Sequence, residues 1–245
     1  QKIWSSGADK AHFMFVLVRT EPDAKKHDGI SYLLVDLRQP AISIRPIRQI
    51  TGSREFCEVF FDRATTPANW LIGQRGQGWQ VSKTTLAAER SGFIGAAESS
   101  VTLHRKLLAL AMEVQLNGKP AIEDPVIADN FLKLEAMVLA HRHTVQHQFE
   151  ARLNGQEAGR SPLMNKLIAT KIAATVSDLA KDILSEHFML TPFGREREAG
   201  PEKWLNQYLG SLGIAIAGGT SNIQRNLIAE RAYGLPRDNA TAADK

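Results

Sequence analysis

Two patterns of apolar residues share this chain, and one gives way to the other once. From residue 1 to about 62 the apolar residues come in short blocks rich in β-branched and aromatic side chains. His12 to Thr20, Ile30 to Arg38, Ile42 to Ile50 and Glu55 to Arg63 each read as a strand. Asp28-Gly29, Gln39-Pro40 and Thr51-Gly52-Ser53 separate them as turns. In the third block Ile42, Ile44 and Pro46 alternate with Ser43, Arg45 and Ile47. No helix-length crossover separates these strands, so meander-like antiparallel pairing is expected.

Beyond residue 78 strand signals nearly vanish. Trp79 to Leu116 holds no proline, and its strongest interruptions are Gly92 and Gly95; as one helix it would be a rod of roughly 55 Å. Two further helices are expected over Pro125 to Leu153 and Pro162 to Met189. Asp124-Pro125 and Ser161-Pro162 open them as N-cap and N1 pairs, and Asn154-Gly155 closes the first. Shorter helices are expected over Pro201 to Gly210 and Ser221 to Tyr233. Long antiparallel helices with short loops make a bundle. The expected fold class is therefore α+β: a partial antiparallel β domain over residues 1–72, a long-helix, up-down, four-helix-type bundle over 73–237, and a frayed tail over 238–245. Gly194 to Gly200 reads as a charged surface loop. Four or five strands with no helices before them leave a sheet face and an edge uncovered. The abrupt start inside strand-like sequence makes the chain read as the C-terminal part of something longer.

Composition narrows the function classes. The 245 residues carry 30 Lys and Arg against 26 Asp and Glu, a net charge of +4, which is too small a surplus to argue for a nucleic-acid partner. Hydrophobic residues at 43% and charged residues at 23% exclude wholesale disorder. With Cys57 the sole cysteine, intramolecular disulfides and CxxC zinc sites are excluded. No apolar run reaches about 18 residues, so no membrane span is expected. Gln1-Lys2-Ile3-Trp4 has no signal-peptide pattern, and a cytoplasmic location is expected.

Several constellations could carry chemistry. His141, His143 and His147 share one expected helix, with His143 and His147 on one face. A zinc-protease helix needs Glu directly after its first His, and here that residue is Thr144, so no metal site is expected. Gly73 to Gly78 is glycine-rich before a helix but lacks the Lys-Ser/Thr of a phosphate loop, and it reads as a connector. Trp4-Ser5-Ser6-Gly7 sets an aromatic ring and two hydroxyls at a strand end, suited either to packing or to a planar cofactor. In Gly218-Gly219-Thr220-Ser221-Asn222, two glycines let backbone approach a ligand, and Thr220 or Ser221 can cap the following helix. Glu89-Arg90 alone reads as an ordinary solvated helix pair.

Taken together, these segments resemble the acyl-CoA dehydrogenase family, in family order over essentially the whole chain. Lys2 to Ala8 is similar to its flavin-facing strand. Glu55 to Trp79 is similar to the end of its middle β domain, and Ala87 to Gly92 and Gly218 to Arg237 to two active-site segments. The resemblance implies a fold with an N-terminal helical domain, which this chain lacks, a middle β domain, and a C-terminal four-helix domain that tetramerises. It implies FAD as cofactor and α,β-dehydrogenation of an acyl-CoA thioester, as in fatty acid metabolism. A carboxylate takes the α-proton while the β-hydride passes to flavin N5. Such a site must stabilise the enolate oxygen and hold a carboxylate whose pKa is raised by burial.

By the same resemblance, Trp4 and Ser6 lie against the flavin ring, and Thr220 and Asn222 meet the flavin near the last helix. In many members the base is a Glu before Gly-Thr, where this chain has Gly218. In a second branch, which includes isovaleryl-type enzymes, the base stands on the long helix directly before an Arg. Glu89 matches that position and is the expected catalytic base, with Arg90 on the substrate side. The family's Arg-x-x-Phe-Gly segment reads Val114 to Gly118 here, and its Gln-x-x-Gly-Gly segment reads Phe188 to Pro192. The implied partners are an acyl-CoA, electron-transferring flavoprotein as electron acceptor, and further copies of the chain in a homotetramer or dimer. These 245 residues alone are expected to be inactive. The alternatives are a non-catalytic partner subunit of a heteromeric acyl-CoA dehydrogenase, and a flavin oxidase or monooxygenase on the same fold.

Overall fold

The strand blocks fold into two small antiparallel sheets, where the sequence suggested one meander. In the computed structural model, which describes residues 1–91, 94–189 and 202–236, β1 (Lys2–Ser6), β5 (Phe56–Phe61) and β4 (Ile42–Ile47) form one sheet in the order β1-β5-β4. Strands β2 (Phe13–Arg19), β3 (Ile30–Asp36) and the short β6 (Leu71–Ile72) form the other. Both β2–β3 and β4–β5 are antiparallel pairs, but β3 and β4 do not pair. The chain changes sheets between Asp36 and Ile42, where Leu37 is buried with Ala8, Cys57 and Val59. The alternation in β4 holds through Arg45; then Pro46 is exposed and Ile47 half-buried, the reverse of the expected phase.

Helix α1 (Gly78–Ser91) packs on β3. The approach is close: a Cβ at Gly78 would lie 2.3 Å from the Ser31 carbonyl carbon. The glycine-rich Gly73–Gly78 segment thus has a packing reason for its last glycine, in keeping with a connector. By its contacts the chain forms two compact units, Gln1–Ser91 and Gly92–Lys245, so α1 belongs with the sheets.

The second unit is the helical bundle. It contains α2 (Ile94–Glu113), α3 (Pro125–Leu153), α4 (Asn165–Leu184), α5 (Glu202–Ile216) and α6 (Ser221–Ala232). The single 55 Å rod is therefore divided, α1 and α2 falling in different units. A hairpin, β7 (Gln115–Leu116) with β8 (Lys119–Pro120), follows α2. Its turn residues Asn117 and Gly118 have φ of 53° and 79°, the positive pair that a two-residue Asn-Gly turn uses. This hairpin occupies the Val114–Gly118 segment.

Helix α3 has its expected bounds because both ends are local signals: the Asp124 carboxylate accepts from the Val126 and Ile127 amides at 2.9 and 3.1 Å, with Pro125 at the first position. Ser161-Pro162 behaves differently. It begins a short 3-10 turn, Ser161–Met164, and α4 starts only at Asn165. The Ser161 hydroxyl donates to the Ala158 carbonyl and accepts from Gln148, so it does not cap the helix. Buried Leu107, Leu134, Ile172, Val176, Ile183 and Trp204 draw α2 to α5 into one core. Helix α5 runs past the expected Gly210 to Ile216. Among the described residues no helix is long and apolar enough to cross a membrane. The Gly194–Gly200 loop and the 238–245 tail lie outside the described residues.

Candidate functional site

The expected site residues fall in two groups, one in each unit. In the first unit, Trp4 and Ser6 stand on β1. Between Lys2, opposite Val59, and Ser5, opposite Cys57, β1 carries one residue more than β5. The ladder absorbs it as a bulge, and Trp4 there takes φ of 62°, a left-handed conformation rare for a bulky residue. Cys57 and Val59 point into the core, so alternate residues Phe56, Glu58 and Phe60 take the other face of the sheet. Trp4 meets Phe56 edge-on, with ring centroids 6.0 Å apart, and remains 59% exposed. The bulge therefore presents an indole on the solvent side, supported from beneath by one ring. Ser6, opposite Phe56, is exposed beside it.

In the second unit, Thr220 and Asn222 open α6. Helix α5 ends in a turn through Ala217, Gly218 and Gly219, whose glycines have φ of 63° and 104°. A Cβ at Gly219 would lie 2.9 Å from Gln224 Nε2, the movable end of a side chain, so it is the backbone that calls for glycine. The Thr220 hydroxyl accepts from the Ile223 amide at 3.4 Å, which makes Thr220 the N-cap of the two candidates, Thr220 and Ser221. Asn222 is exposed one residue into the helix, its Oδ1 accepting from Arg225 at 3.3 Å. Free amides and the positive end of the helix dipole thus accompany an exposed hydroxyl and an exposed amide.

Sequence reasoning missed what holds this turn from behind. Lys166, one residue into α4, is 4% exposed. Its ammonium donates to the Ala215 carbonyl at 3.0 Å and to the Gly219 carbonyl. Buried Gln224 reaches back from α6 to donate to the Gly218 carbonyl at 3.1 Å. No ion pair to Lys166 occurs among the described residues, and burial pushes its pKa below the ordinary lysine value. The carbonyls, two of them clustered near the C-terminal end of α5, take the place of a carboxylate. A lysine in an amphipathic helix gives no signal in sequence that distinguishes this role from a solvated one.

Glu89 and Arg90 lie in the last turn of α1, and their side chains lie outside the described residues. Residues 217–221 carry no titratable group, so no carboxylate stands in the turn itself. Phe188 is buried, while residues 190–192 of the other departing segment lie outside the described residues. Among the three histidines of α3, His143 and His147 are exposed, and His141 is buried with neither ring nitrogen bonded. No group of three or more His, Cys, Asp or Glu among the described residues is placed to hold a metal ion.

Two family models match the chain in succession. The acyl-CoA dehydrogenase middle domain matches residues 1–64, and the acyl-CoA dehydrogenase C-terminal domain matches residues 76–233. The chain is 37% identical over 239 residues to acyl-CoA dehydrogenase IpdE1 of Mycobacterium tuberculosis, covering 97% of this chain and 59% of that protein. It is 32% identical over 237 residues to acyl-CoA dehydrogenase FadE34 of the same organism, covering 97% of this chain and 31% of that one. Among solved structures, the Tcur3481-Tcur3483 steroid ACAD superposes with a TM-score of 0.82 at 24% identity, over 96% of this chain and 60% of that one. The ChsE4-ChsE5 complex from Mycobacterium tuberculosis superposes with a TM-score of 0.79 at 21% identity, over 96% and 60%.

Proposed function

The chain belongs to the acyl-CoA dehydrogenase family, and from that premise we propose that the complete protein converts an acyl-CoA thioester to its α,β-unsaturated product with FAD. The observation that carries this reading is the succession of the two family models along the chain, over residues 1–64 and 76–233, joined to two groups of residues that each offer what a flavin needs. The exposed indole of Trp4, held out on a bulge, offers a flat surface to a planar ring, with the Ser6 hydroxyl beside it. Thr220 and Asn222, at a helix start behind two positive-φ glycines, offer hydrogen bonds and backbone close approach. These residues fit the group and would hold it. FAD, when bound, supplies the acceptor for the hydride that leaves the β-carbon.

The chain's own share is the proton. As the α-carbon–hydrogen bond breaks, the Glu89 carboxylate takes the proton, and the electron pair enters the new carbon–carbon double bond. The lack of any carboxylate over residues 217–221 supports Glu89 for this task, because the reaction needs a base and the turn supplies none. Arg90 follows it on α1 as the substrate-side cation. Electron-transferring flavoprotein as acceptor and assembly with further copies of the chain belong to the same proposal.

Anaerobic mixing of the complete flavoprotein with acyl-CoA tests it. Glu89→Gln keeps the shape of the side chain but cannot accept the proton. Flavin bleaching should slow by about 10²–10⁴-fold, with flavin and acyl-CoA still bound. Bleaching by the Gln variant at the native rate would remove Glu89 from the mechanism.

A second reading is favoured by a specific observation. Val114–Gly118, where the resemblance places an Arg, is instead the start of a tight Asn-Gly hairpin. A subunit that completes the site of a different chain would tolerate that change. Co-purification of a second, related polypeptide in fixed ratio would favour this reading over a homotetramer.

A further inference from the structure

We infer that Lys166 is a positioning residue for the flavin-facing turn, a role that rests on the assignment of Thr220 and Asn222 to the cofactor. The turn between α5 and α6 must place the Thr220 hydroxyl and the first amides of α6, yet Gly218 and Gly219 make it the least constrained backbone near them. One buried ammonium spans it. Lys166 joins the Ala215 carbonyl, in the last turn of α5, to the Gly219 carbonyl, directly before the Thr220 cap. Gln224 fixes the carbonyl between them, that of Gly218. Three carbonyls, one at the end of α5 and two in the turn, therefore bond side chains, and that fixes the direction of their peptide planes.

The group is costly to keep there. A buried cation without a carboxylate partner is tolerated only when hydrogen bonds replace its hydration. A leucine or methionine at the same place on the α4 face would pack without that cost. What the ammonium adds is directional: two donors that hold two carbonyls at a set separation, reinforced by the negative end of the α5 dipole. Because the Gly219 carbonyl bonds a cation, the Gly219–Thr220 peptide is also polarised, which strengthens its amide as a donor.

The test uses the complete flavoprotein with Lys166→Met, Lys166→Arg and Thr220→Val. The readouts are FAD dissociation by fluorescence, hydrogen exchange over residues 215–224, and melting temperature. Lys166→Met should weaken FAD binding by about tenfold or more and speed exchange across the turn, while Lys166→Arg, which keeps the cation, recovers part of both. If Lys166→Met does not fold, Lys166→Gln, with a neutral and shorter head, should show the same loosening. A folded Met or Gln variant with native FAD affinity and native exchange over 215–224 overturns the inference. If Thr220→Val leaves FAD affinity unchanged, the assignment of the turn to the flavin fails instead, whatever Lys166 does.

Discussion

The two units present their candidate functional residues by opposite means. The sheet unit exposes: a strained, bulged Trp4 stands out from β1 with a single ring beneath it. The helical unit buries: Lys166, Gln224, Gln148, Asn165, Ser177 and His141 are all nearly inaccessible, and the first two hold the α5–α6 turn from inside. A strand can aim a side chain by adding one residue, because the ladder on either side of the bulge resists slipping. A glycine turn between helices has no ladder, so its order must come from side chains behind it. The amide pair of Gln148 and Asn165, bonded both ways at 3.1 and 2.8 Å, shows the same habit at the start of α4.

Three further measurements would break or sharpen this contrast. The largest effect is expected at the turn. Gly219→Ala puts a Cβ on a φ of 104° and makes the Gln224 side chain shift, and should cost about 1–3 kcal/mol in urea unfolding, mostly from the backbone. A neutral result there would mean that the turn is not rigidly held.

Next comes the buried His141. Burial pushes its pKa below the ordinary 6.5, so the unfolded chain binds a proton that the folded chain refuses. Its stability contribution is full above about pH 6.5 and is lost as pH falls below that value, by up to about 1.4 kcal/mol per pH unit. His141→Leu should flatten the urea-midpoint profile on the acid side, and an unchanged slope would show that His141 does not set it.

The smallest effect on stability is expected at the bulge. Trp4→Gly relieves a left-handed φ worth about 1 kcal/mol or more but loses the edge contact with Phe56, so the two nearly cancel. Flavin affinity should fall while the melting temperature stays within a few degrees. A large drop in melting temperature would show that Trp4 is a structural prop and not a presented surface.

How much of this the sequence carried differs element by element. Helix α3 was legible from end to end, since Asp124-Pro125 and Asn154-Gly155 act within one turn of chain. A cap at the start of α6 was legible for the same reason, and the structure chose Thr220 over Ser221. Ser161-Pro162 carries a similar local signal, yet α4 begins at Asn165, because Ser161 is held by Gln148 from another helix. The sequence marked the strand blocks to within one to three residues at most ends but not their partners. The separation of β3 from β4 goes with the surfaces that Leu37, Cys57 and Val59 bury together, and the short β6 adds to β3 from the far side of the sequence.

The sequence by itself determined the α+β division, the capped start of α3 and the family, because these depend on residues near one another in the chain or on motifs that follow in order. Only the tertiary structure decided that the long helical run divides between two units, that Trp4 stands on a bulge, and that Lys166 lies behind the glycine turn. Each of these joins residues far apart in sequence. Lys166 is 49 and 53 positions from the carbonyls it binds, so no local pattern could carry the signal. Its meaning comes from desolvation, which exists only once α4, α5 and α6 have packed around it.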